Sequence, residues 1–404
     1  MPDATPVFPL GELCSFVGGG TPSRKVPEYF AGSIPWATVK DFKQFRLADT
    51  EEHITEQAVA DSAANIVEAG TVLLVSRVGL GKVAIADARL AINQDIKALT
   101  PRDDILPEYL FWFLLSKAPD IERMGAGATV KGITLNDIKA IRMPVPLLSE
   151  QRRIVDLLSR AEGIVRLRRQ AQQKAAALIP AIFVDMFGDP ATNSKGWPVV
   201  ALGEVLAEPP TLGTMAKPSA VSGGWLDLRV ANIQGGKLDL RDKKWLDLPP
   251  EQEERFALRA GDIVLARAIG SIDHLGKAVI VNPPTPWTFD SHLMRLRLMT
   301  TRIVPEFFKA FLESEGGREA FLKHTRRSAV QFNINGKEVR QISIPLPPLD
   351  LQRQFAQRVA AVLAIEQQQQ VATAKAEATF SALLAMAFTA AAPQVQHETE
   401  RALA

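Results

Sequence analysis

The sequence has 404 residues, 47% of them hydrophobic, which is enough for two or three globular cores. A formal net charge of +2 excludes no class of partner, because a nucleic-acid-binding protein needs its basic groups on one face only. The apolar stretch 178–187 is too short to cross a bilayer, the N-terminus lacks a signal-peptide pattern, and the single cysteine, Cys14, excludes an intrachain disulfide. We therefore expect a cytoplasmic protein with no membrane span and with Cys14 in a core.

An internal duplication organises the chain. The segment 144–152 is repeated at 345–353, and a long helical pattern follows each copy. Because ordered matches over two copies indicate a repeated fold, we expect two similar domains. The other matches, in the same order, join 10–13 to 202–205, 69–77 to 260–267, Gly81-Lys82 to Gly276-Lys277, 107–110 to 305–308, and Ile133 with Ile138 to Ile334 with Val339.

Each half combines strand and helix patterns. The β-branched runs 71–75 and 263–265 predict buried strands, and 108–115 and 306–312 predict short amphipathic helices. The fold class we expect is α+β, with two globular domains. The predicted boundaries are a first domain at 1–148, a long helix at 149–189, a second domain at 190–349, a long helix at 350–390 and a disordered tail at 391–404.

The two long segments carry apolar residues at alternating spacings of three and four, which predicts a coiled-coil seam. About 35 residues of helix extend roughly 50 Å, a length that suits a spacer. Pro180 should break or kink the first helix, and the turn 187–190 should close the first half. An ordinary bundle or a homodimeric coiled coil remain alternatives, but pairing within one chain is favoured by its high effective concentration. The predicted seams are Ile154, Leu157, Ala161, Ile164, Ala171, Ala175, Leu178 and Ile182, and Phe355, Val359, Val362, Ala376, Phe380, Leu383 and Ala387 around a polar middle.

Two motifs point to a family. Gly18-Gly-Gly-Thr-Pro-Ser-Arg24, followed by the stretch 32–41 with Trp36 and Lys40, resembles the opening signature of target-recognition domains in type I restriction-modification specificity subunits. The second half has 224–233 instead, with Arg229 and an Asn232-Ile pair, which is similar to another variant in that family. The proline-rich segments 144–152 and 345–353 before the long helices also resemble the family, although Leu351 replaces a glutamate in the second.

The resemblance implies a function. In such proteins each recognition domain reads one half of a split target in double-stranded DNA. The two long helices pair antiparallel and set the distance between the domains. A pseudo-twofold duplication relates the two halves of the chain. Two methyltransferase (modification) subunits dock on them and hold S-adenosylmethionine, restriction or translocase subunits can join the complex, and the specificity subunit itself binds no cofactor and catalyses no reaction.

Basic and polar residues beside glycines are the candidate DNA contacts, since cations bind phosphates and Arg, Lys, Asn and Gln read base edges. Gly18–Gly20 would let a phosphate approach the backbone. Arg77 with Lys82, and Arg267 with Lys277, follow a predicted strand in both halves. A plain solvent-exposed turn or a surface cation is the alternative at each place. The candidates are Thr21, Ser23, Arg24, Lys25, Lys40, Arg77, Lys82, Thr129, Lys131, Arg229, Asn232, Arg267, Lys277, Arg326, Arg327, Gln331 and Asn333.

The long helices supply the candidates for helix pairing and for docking of the methyltransferase subunits. They are the residues of the two repeated motifs and the large apolar residues of the two seams. The set is Gln151, Arg152, Ile154, Leu157, Ile164, Gln352, Arg353, Phe355, Val359, Val362, Phe380 and Leu383.

The sequence gives little support to the hypothesis of an enzymatic function. Asn282-Pro-Pro-Thr285 has threonine where amino-methyltransferases carry an aromatic residue, and no glycine-rich loop for S-adenosylmethionine precedes it. The five histidines are scattered, and no spacing predicts a metal site. The alternative to a DNA-reading subunit is a self-contained DNA methyltransferase or nuclease whose motifs are not recognisable.

Overall fold

The computed structural model describes residues 5–126, 131–218, 223–327 and 331–389. The candidate contact Thr129 and the expected tail 391–404 lie outside the described residues. The chain forms two compact units. The first holds the described residues up to Arg169 and those from Ala372 onward, and the second runs from Gln170 to Val371. Each unit thus contains one globular domain, the start of the long helix that follows it, and the end of the other long helix. The domain boundaries given above remain a prediction.

The first unit is built on two sheets. A five-stranded sheet has the order β2-β10-β7-β8-β4, a four-stranded sheet the order β5-β3-β9-β6, and β1 pairs with β11. The strands are β1 Val7–Pro9, β2 Cys14–Gly18, β3 Ile34–Ala37, β4 Arg46–Leu47, β5 His53–Ile54, β6 Asn65–Val67, β7 Val72–Val75, β8 Val83–Ala86, β9 Leu90–Ile92, β10 Ile96–Pro101 and β11 Arg142–Pro144.

Helices cover one face of the larger sheet. The aromatic helix α3 packs on β7 and β8, and most of its side chains are buried because it lies between this sheet and the end of the last helix. Cys14 is buried in this core, as expected, and burial raises the pKa of its thiol to about 12. The helices are α1 Leu10–Leu13, α2 Glu56–Ala60, α3 Pro107–Ser116, α4 Ala118–Met124, α5 Leu135–Ala140 and α6 Leu148–Ala176.

The second unit repeats this plan. Its main sheet has the order β13-β22-β18-β20, and a second sheet has the order β17-β14-β21. Smaller sheets are β12-β25, β15-β16 and β19-β24-β23. The strands are β12 Val199–Ala201, β13 Thr211–Leu212, β14 Trp225–Leu228, β15 Ile233–Gln234, β16 Lys237–Leu238, β17 Lys244–Leu246, β18 Ile263–Ala266, β19 Ala268–Ile269, β20 Ala278–Ile280, β21 Trp287–Phe289, β22 Leu293–Leu296, β23 Arg326–Arg327, β24 Phe332–Asn333 and β25 Ser343–Pro345.

The helices of the second unit include the end of the first long segment. Helix α6 ends at Ala176 and α7 begins at Leu178, so the helix is interrupted just before Pro180, as predicted from the missing proline N–H. Gly188, with a φ of 77°, then ends α7 in the left-handed region that glycine adopts readily. The helices are α7 Leu178–Phe187, α8 Pro250–Phe256, α9 Pro305–Glu313, α10 Glu315–Leu322, α11 Gly336–Val339 and α12 Leu349–Thr389.

Equivalent hydrogen bonds confirm the duplication. The Leu10 N–H donates to the Ile141 carbonyl over 2.8 Å, and the Leu202 N–H donates to the Ile342 carbonyl over 2.8 Å. Strands β10 and β7 pair as β22 and β18 do, antiparallel and in the centre of their sheets. The predicted strands and short helices agree with β7, β18, α3 and α9 to within a residue or two. The α+β class with a repeated domain is therefore confirmed.

A buried glutamine fixes the start of each long helix. In α6 the Gln151 Oε1 accepts from the Leu106 N–H over 2.9 Å, and its Nε2 donates to the carbonyls of Asp104 and Pro146, both over 2.9 Å. Both glutamine side chains are 0% exposed, so they bind their own domain and are not a docking surface; this corrects the prediction for Gln151 and Gln352. The same three bonds recur in α12, from the Val304 N–H to Gln352 and from Gln352 to the carbonyls of Arg302 and Pro347.

The far end of each long segment packs on the domain within its unit through aromatic rings. Phe388 of α12 lies 5.4 Å from Tyr109 of α3, between ring centroids. Phe187 of α7 lies 4.9 Å from Phe307 of α9, which occupies the equivalent place in the second unit. Within the first unit the salt bridge from Arg169 to Glu377, at 2.7 Å, ties α6 to α12. Each unit therefore contains an antiparallel pair of helix segments, as the fold class predicted.

The burial pattern corrects one row of the predicted seam in α6. Ile154 is buried as expected, but Leu157 and Ile164 are 39% and 51% exposed, whereas Leu158 and Val165 are 0% and 6% exposed. Adjacent apolar residues at 157–158 and 164–165 allowed either phase, and the buried Gln151 selects the phase that includes Leu158. In α12 the seam is confirmed for its large residues, with Phe355, Val359 and Val362 buried and Phe380 and Leu383 half-buried against a core.

One helix differs from the expectation about membrane spans. Leu349–Phe388 is long and apolar enough, by length and composition, to cross a bilayer, and 11% of its most apolar stretch is buried. The expectation of no membrane span rested on 178–187 alone and did not include this segment. Helices that pack on a protein core meet the same criteria, and Phe380, Leu383 and Phe388 pack on the core of the first unit.

Two neighbouring leucines test the corrected seam. Leu158→Ala should lower the free energy of unfolding by about 2–5 kcal/mol, because it removes a fully buried side chain and leaves a cavity. Leu157→Ala, the matched control, should cost about 1 kcal/mol or less. Urea unfolding of the full chain measures both, and an equal loss in the two variants would contradict the assignment.

Candidate nucleic-acid interface

A cleft in the first unit brings four of the predicted DNA contacts together. Thr21, Arg24, Lys40 and Lys82 come from three separate loops and line one open cleft of about 570 Å³. Its other lining residues are Trp36, Thr38, Val39, Glu51, Glu52, Val78, Asn93, Gln94 and Asp95. Residues far apart in the sequence thus form one surface with cations, amides and carboxylates.

The glycine-rich loop is shaped by its own protein, not by a ligand. A Cβ atom on Gly19 would lie 2.1 Å from the Ile92 carbonyl oxygen, and one on Gly20 would lie 2.3 Å from the Ala63 carbonyl carbon. The indole N–H of Trp36 donates to the Gly20 carbonyl over 3.2 Å. The expectation that these two glycines let a phosphate approach is therefore wrong, because the protein backbone occupies that space.

Arg24 already has an internal partner. Its guanidinium makes two hydrogen bonds to the Glu52 carboxylate, at 2.8 and 2.6 Å, and lies 4.2 Å above the Phe30 ring. This pairing lowers the pKa of Glu52. Ser23 and Lys25 are exposed on the same loop but do not line the cleft. A phosphate contact by Arg24 would have to share the guanidinium with Glu52.

A three-residue turn between β9 and β10 projects into the cleft, and the sequence analysis did not identify it. The Asn93 side chain accepts from the Asp95 N–H over 3.1 Å, an Asx turn, and the Asp95 carbonyl accepts from the Ser76 N–H over 2.7 Å. Gln94 at the tip is exposed, and the Thr21 hydroxyl donates to its Oε1. The sequence feature that could have indicated this turn is Asn93, an asparagine between two apolar runs.

The loop after β7 forms another wall. Val78 has a φ of 50° and is 55% exposed, so a β-branched residue holds a strained backbone at the cleft. Arg77 lies 3.8 Å from the Asp95 carboxylate, and Lys82 is exposed. Lys131 is exposed next to Gly132, which forms an isolated bridge with Arg77.

Two candidates of the second unit have structural roles. Asn232 is 2% exposed, and its side chain accepts from the Arg229 N–H over 3.0 Å and donates to the carbonyls of Asp239 and Asp242. Asn232 therefore caps a helical turn, and its prediction as a DNA contact is wrong. Arg229 is half-buried and donates to the Asp242 carboxylate over 2.8 Å.

The predicted equivalence of Arg77 and Arg267 is also wrong. The Ser76 carbonyl accepts from the Ile133 N–H over 3.0 Å, and the Arg267 carbonyl accepts from the Ile334 N–H over 3.0 Å. Arg267 therefore corresponds to Ser76, one residue earlier than the sequence match suggested. The lysines do correspond, but Lys277 is half-buried and its Nζ lies 2.8 Å from the His274 Nδ1.

The strand pair β23–β24 carries the remaining candidates. Arg326 pairs with the buried Glu338, and the Arg327 guanidinium lies 5.5 Å from the Phe332 ring centre. Asn333 pairs in register with Arg326 and with Ala268 of β19. Gln331 is exposed. Arg326, Arg327 and Asn333 therefore lie on one small sheet, and Arg326 also pairs with a buried carboxylate of its own domain.

Two carboxylates lie close together inside the second unit. Asp227 is 4% exposed, and burial with the nearby Asp290 raises its pKa to about 7, while Arg229 opposes the shift. Burial also raises the pKa of Asp290. The equivalent positions in the first unit are Trp36 and Asn93, so the two units differ in charge at the same place in the fold.

Within residues 5–126, 131–218, 223–327 and 331–389, no group of three His, Cys, Asp or Glu residues could hold a metal ion. Asn282, Pro284 and Thr285 form an exposed turn, and the Thr285 hydroxyl accepts from the Trp287 indole over 3.1 Å. The threonine that replaces an aromatic residue in the methyltransferase-like motif thus stabilises this turn.

Comparison with known proteins agrees with the motifs. A family model described as the type I restriction modification DNA specificity domain matches residues 2–176. Residues 2–176 are therefore similar to such a specificity domain. This similarity confirms the resemblance inferred from the sequence, and the hydrogen bonds repeated between the units show that the second half repeats the fold of the first.

Two curated relatives are type I restriction enzyme specificity subunits. One, MjaIX from Methanocaldococcus jannaschii, is 30% identical over 224 residues, which are 50% of this chain and 51% of that protein. The other, from Escherichia coli, is 35% identical over 162 residues, 38% of this chain and 40% of that protein. The chain thus spans about half the length of the curated relatives it matches.

A solved structure extends the likeness of fold to almost the whole chain. The crystal structure of a type I restriction-modification system S subunit from M. genitalium superposes with a TM-score of 0.53, at 15% identity, over 96% of this chain and 97% of that one. At this identity the likeness concerns the fold alone. It supports two domains with long helices in one chain.

The buried carboxylate of Asp227 predicts a pH dependence. The folded protein keeps a proton on Asp227 up to about pH 7, whereas the unfolded chain releases it near 3.8, so stability falls as pH rises through that window. Asp227→Asn should therefore raise the unfolding free energy at about pH 8 by at most about 4 kcal/mol, and change it little at low pH. Urea unfolding at about pH 4 and about pH 8 measures this. Asp185→Asn, on the exposed face of α7, is the matched control, and equal pH profiles for the two variants would contradict the account.

Proposed function

We propose that this chain is the sequence-specific DNA-binding subunit of a type I restriction-modification complex. Each specificity domain reads one half of a bipartite target in double-stranded DNA, and the long helices act as spacer and as docking site for methyltransferase subunits. The observation that carries the proposal is one specificity domain built twice on the same hydrogen-bond frame, with different polar side chains at equivalent exposed positions. Two such domains in one chain suit two different half-sites.

The cleft of the first unit has the chemistry expected for one half-site. Lys40 and Lys82 are exposed cations on its walls, suited to phosphates, while Gln94 is an exposed amide suited to a base edge. The salt bridge between Arg24 and Glu52 joins the glycine-rich loop to the segment before β5. In the second unit the remaining candidates are Arg267, Lys277 and the strand pair β23–β24.

We propose that catalysis belongs to the partner subunits. This chain binds no cofactor in the proposal, and S-adenosylmethionine is held by two methyltransferase subunits. Restriction or translocase subunits would join the same complex, in the cytoplasm and away from any membrane. The exposed Arg152, Leu157, Ile164 and Arg353 remain available on the long helices for docking, since their side chains point away from the buried seams.

A lysine substitution tests the cleft as the DNA surface. Lys82→Ala should weaken binding of the full chain to duplex DNA and reduce the slope of log K against log salt concentration by about 1, the loss of one phosphate contact. The matched control is Lys139→Ala, an exposed lysine of α5 in the same unit outside the cleft. Fluorescence anisotropy across a salt series gives both slopes, and equal slopes for Lys82→Ala and the unmodified protein would remove this lysine from the interface.

The non-catalytic role has its own test. The purified chain, incubated alone with DNA carrying its target and with labelled S-adenosylmethionine, should transfer no methyl groups. Adding the methyltransferase subunit that co-purifies with it from the host should start the transfer. Methylation by the isolated chain would instead favour the self-contained methyltransferase.

A further inference from the structure

We propose that one turn in each domain reads base edges, with Gln94 contacting adenine in the first. The turn follows β9, which pairs parallel with β3, in the first domain, and β21, which pairs parallel with β14, in the second. The turn is 93–95 in the first unit and 290–292 in the second. This inference rests on the proposed function and names the residues that give it sequence specificity.

The two turns share one backbone frame. In the first, the Asn93 N–H donates to the Ala37 carbonyl over 3.0 Å, and in the second the Asp290 N–H donates to the Leu228 carbonyl over 2.9 Å. The side chain of the first residue then accepts from the N–H of the third, at 3.1 Å from Asp95 to Asn93 and at 2.9 Å from His292 to Asp290.

The far side of each turn is held in the same way. The carbonyl of the third residue accepts from the residue after the central strand, the Ser76 N–H over 2.7 Å and the Arg267 N–H over 2.9 Å. Since the backbone and the first side chain are fixed, only the second and third side chains can vary without disturbing the frame. Positions that are rigid in backbone and variable in side chain suit precise recognition.

Those variable side chains differ between the domains, and one in each domain, Gln94 or His292, is exposed, whereas the Asp95 side chain is 15% exposed beside Arg77. The first domain has Gln94 and Asp95, and the second has Ser291 and His292, with 52% of the His292 side chain exposed. Gln94 lies in the cleft with Lys40 and Lys82, so a base edge could meet its amide while phosphates meet the lysines.

The hydrogen bond from Thr21 leaves the Gln94 amide with the donor and the acceptor that adenine requires. The Thr21 hydroxyl donates to the Gln94 Oε1, and this oxygen keeps a second lone pair that can accept from another donor. The Gln94 Nε2 can then donate to an acceptor. Adenine presents that pair in the major groove, an N6 donor beside an N7 acceptor, and glutamine contacts both. Guanine presents two acceptors and suits arginine instead.

The test selects duplexes from a randomised DNA pool with the full-length chain and sequences those retained. The unmodified protein should retain a motif with two specified parts. Gln94→Ala should reduce the preference for adenine at one position of one part by about tenfold or more, equivalent to about 1.4 kcal/mol, and leave the other part unchanged. Gln94→Arg should move the preference at that position to guanine. His292→Ala should relax the other part only.

Gln57→Ala, an exposed glutamine of α2 in the same domain, is the matched control and should retain the unmodified motif. If the unmodified protein selects a motif and both Gln94 variants select the same one, this inference falls and the proposed function stands. If the unmodified protein selects no motif, both fall. A general loss of affinity in Gln94→Ala with the motif intact would assign Gln94 a structural role and overturn the proposal.

Discussion

The structure depends on a buried glutamine at the start of each long helix. Gln151 and Gln352 each accept a hydrogen bond from one backbone N–H and donate to two backbone carbonyls of their domain. No other side chain of that length offers both an acceptor and two donors. Removing such a group would take the partner from three backbone groups that are at least partly buried, and a fully buried group without a partner costs about 1–3 kcal/mol. The direction in which a helix leaves its domain is therefore set by hydrogen bonds that tolerate little error. The proposed role of the long helices as a spacer would need such fixed helix ends.

The two domains also share backbone hydrogen bonds. In both, these bonds position a central strand and the turn at 93–95 or 290–292, while the side chains at those positions differ. Trp36 in one unit is replaced by the buried Asp227 in the other, and Gln94 by Ser291. A frame made of backbone contacts can be kept while the recognition surface changes, because few of its bonds depend on the exposed side chains.

Much of the fold could be predicted from sequence, because it follows from repeated patterns. The paired prolines, the central strands and the apolar residues of α12 were each visible as a spacing. The seam of α6 was half right: Ile154 belongs to both possible phases, and only the burial of Gln151 distinguishes Leu158 from Leu157. The cleft was harder to predict. Lys40 and Lys82 could be named as basic residues, but Gln94 joins them only through the parallel pairing of β3 with β9, a long-range contact that no local pattern encodes. Asn232 was misassigned because a capping asparagine and a base-reading asparagine have the same letter in the sequence.

The central claim is that two domains of one chain each read half of a DNA target. The most direct measurement is a map of methylated bases in the genome of cells that carry the intact gene, compared with cells in which it is disrupted. The account predicts a motif that depends on the gene and has two short specified segments separated by an unspecified stretch of constant length. A continuous motif, or methylation that is unchanged when the gene is disrupted, would contradict it.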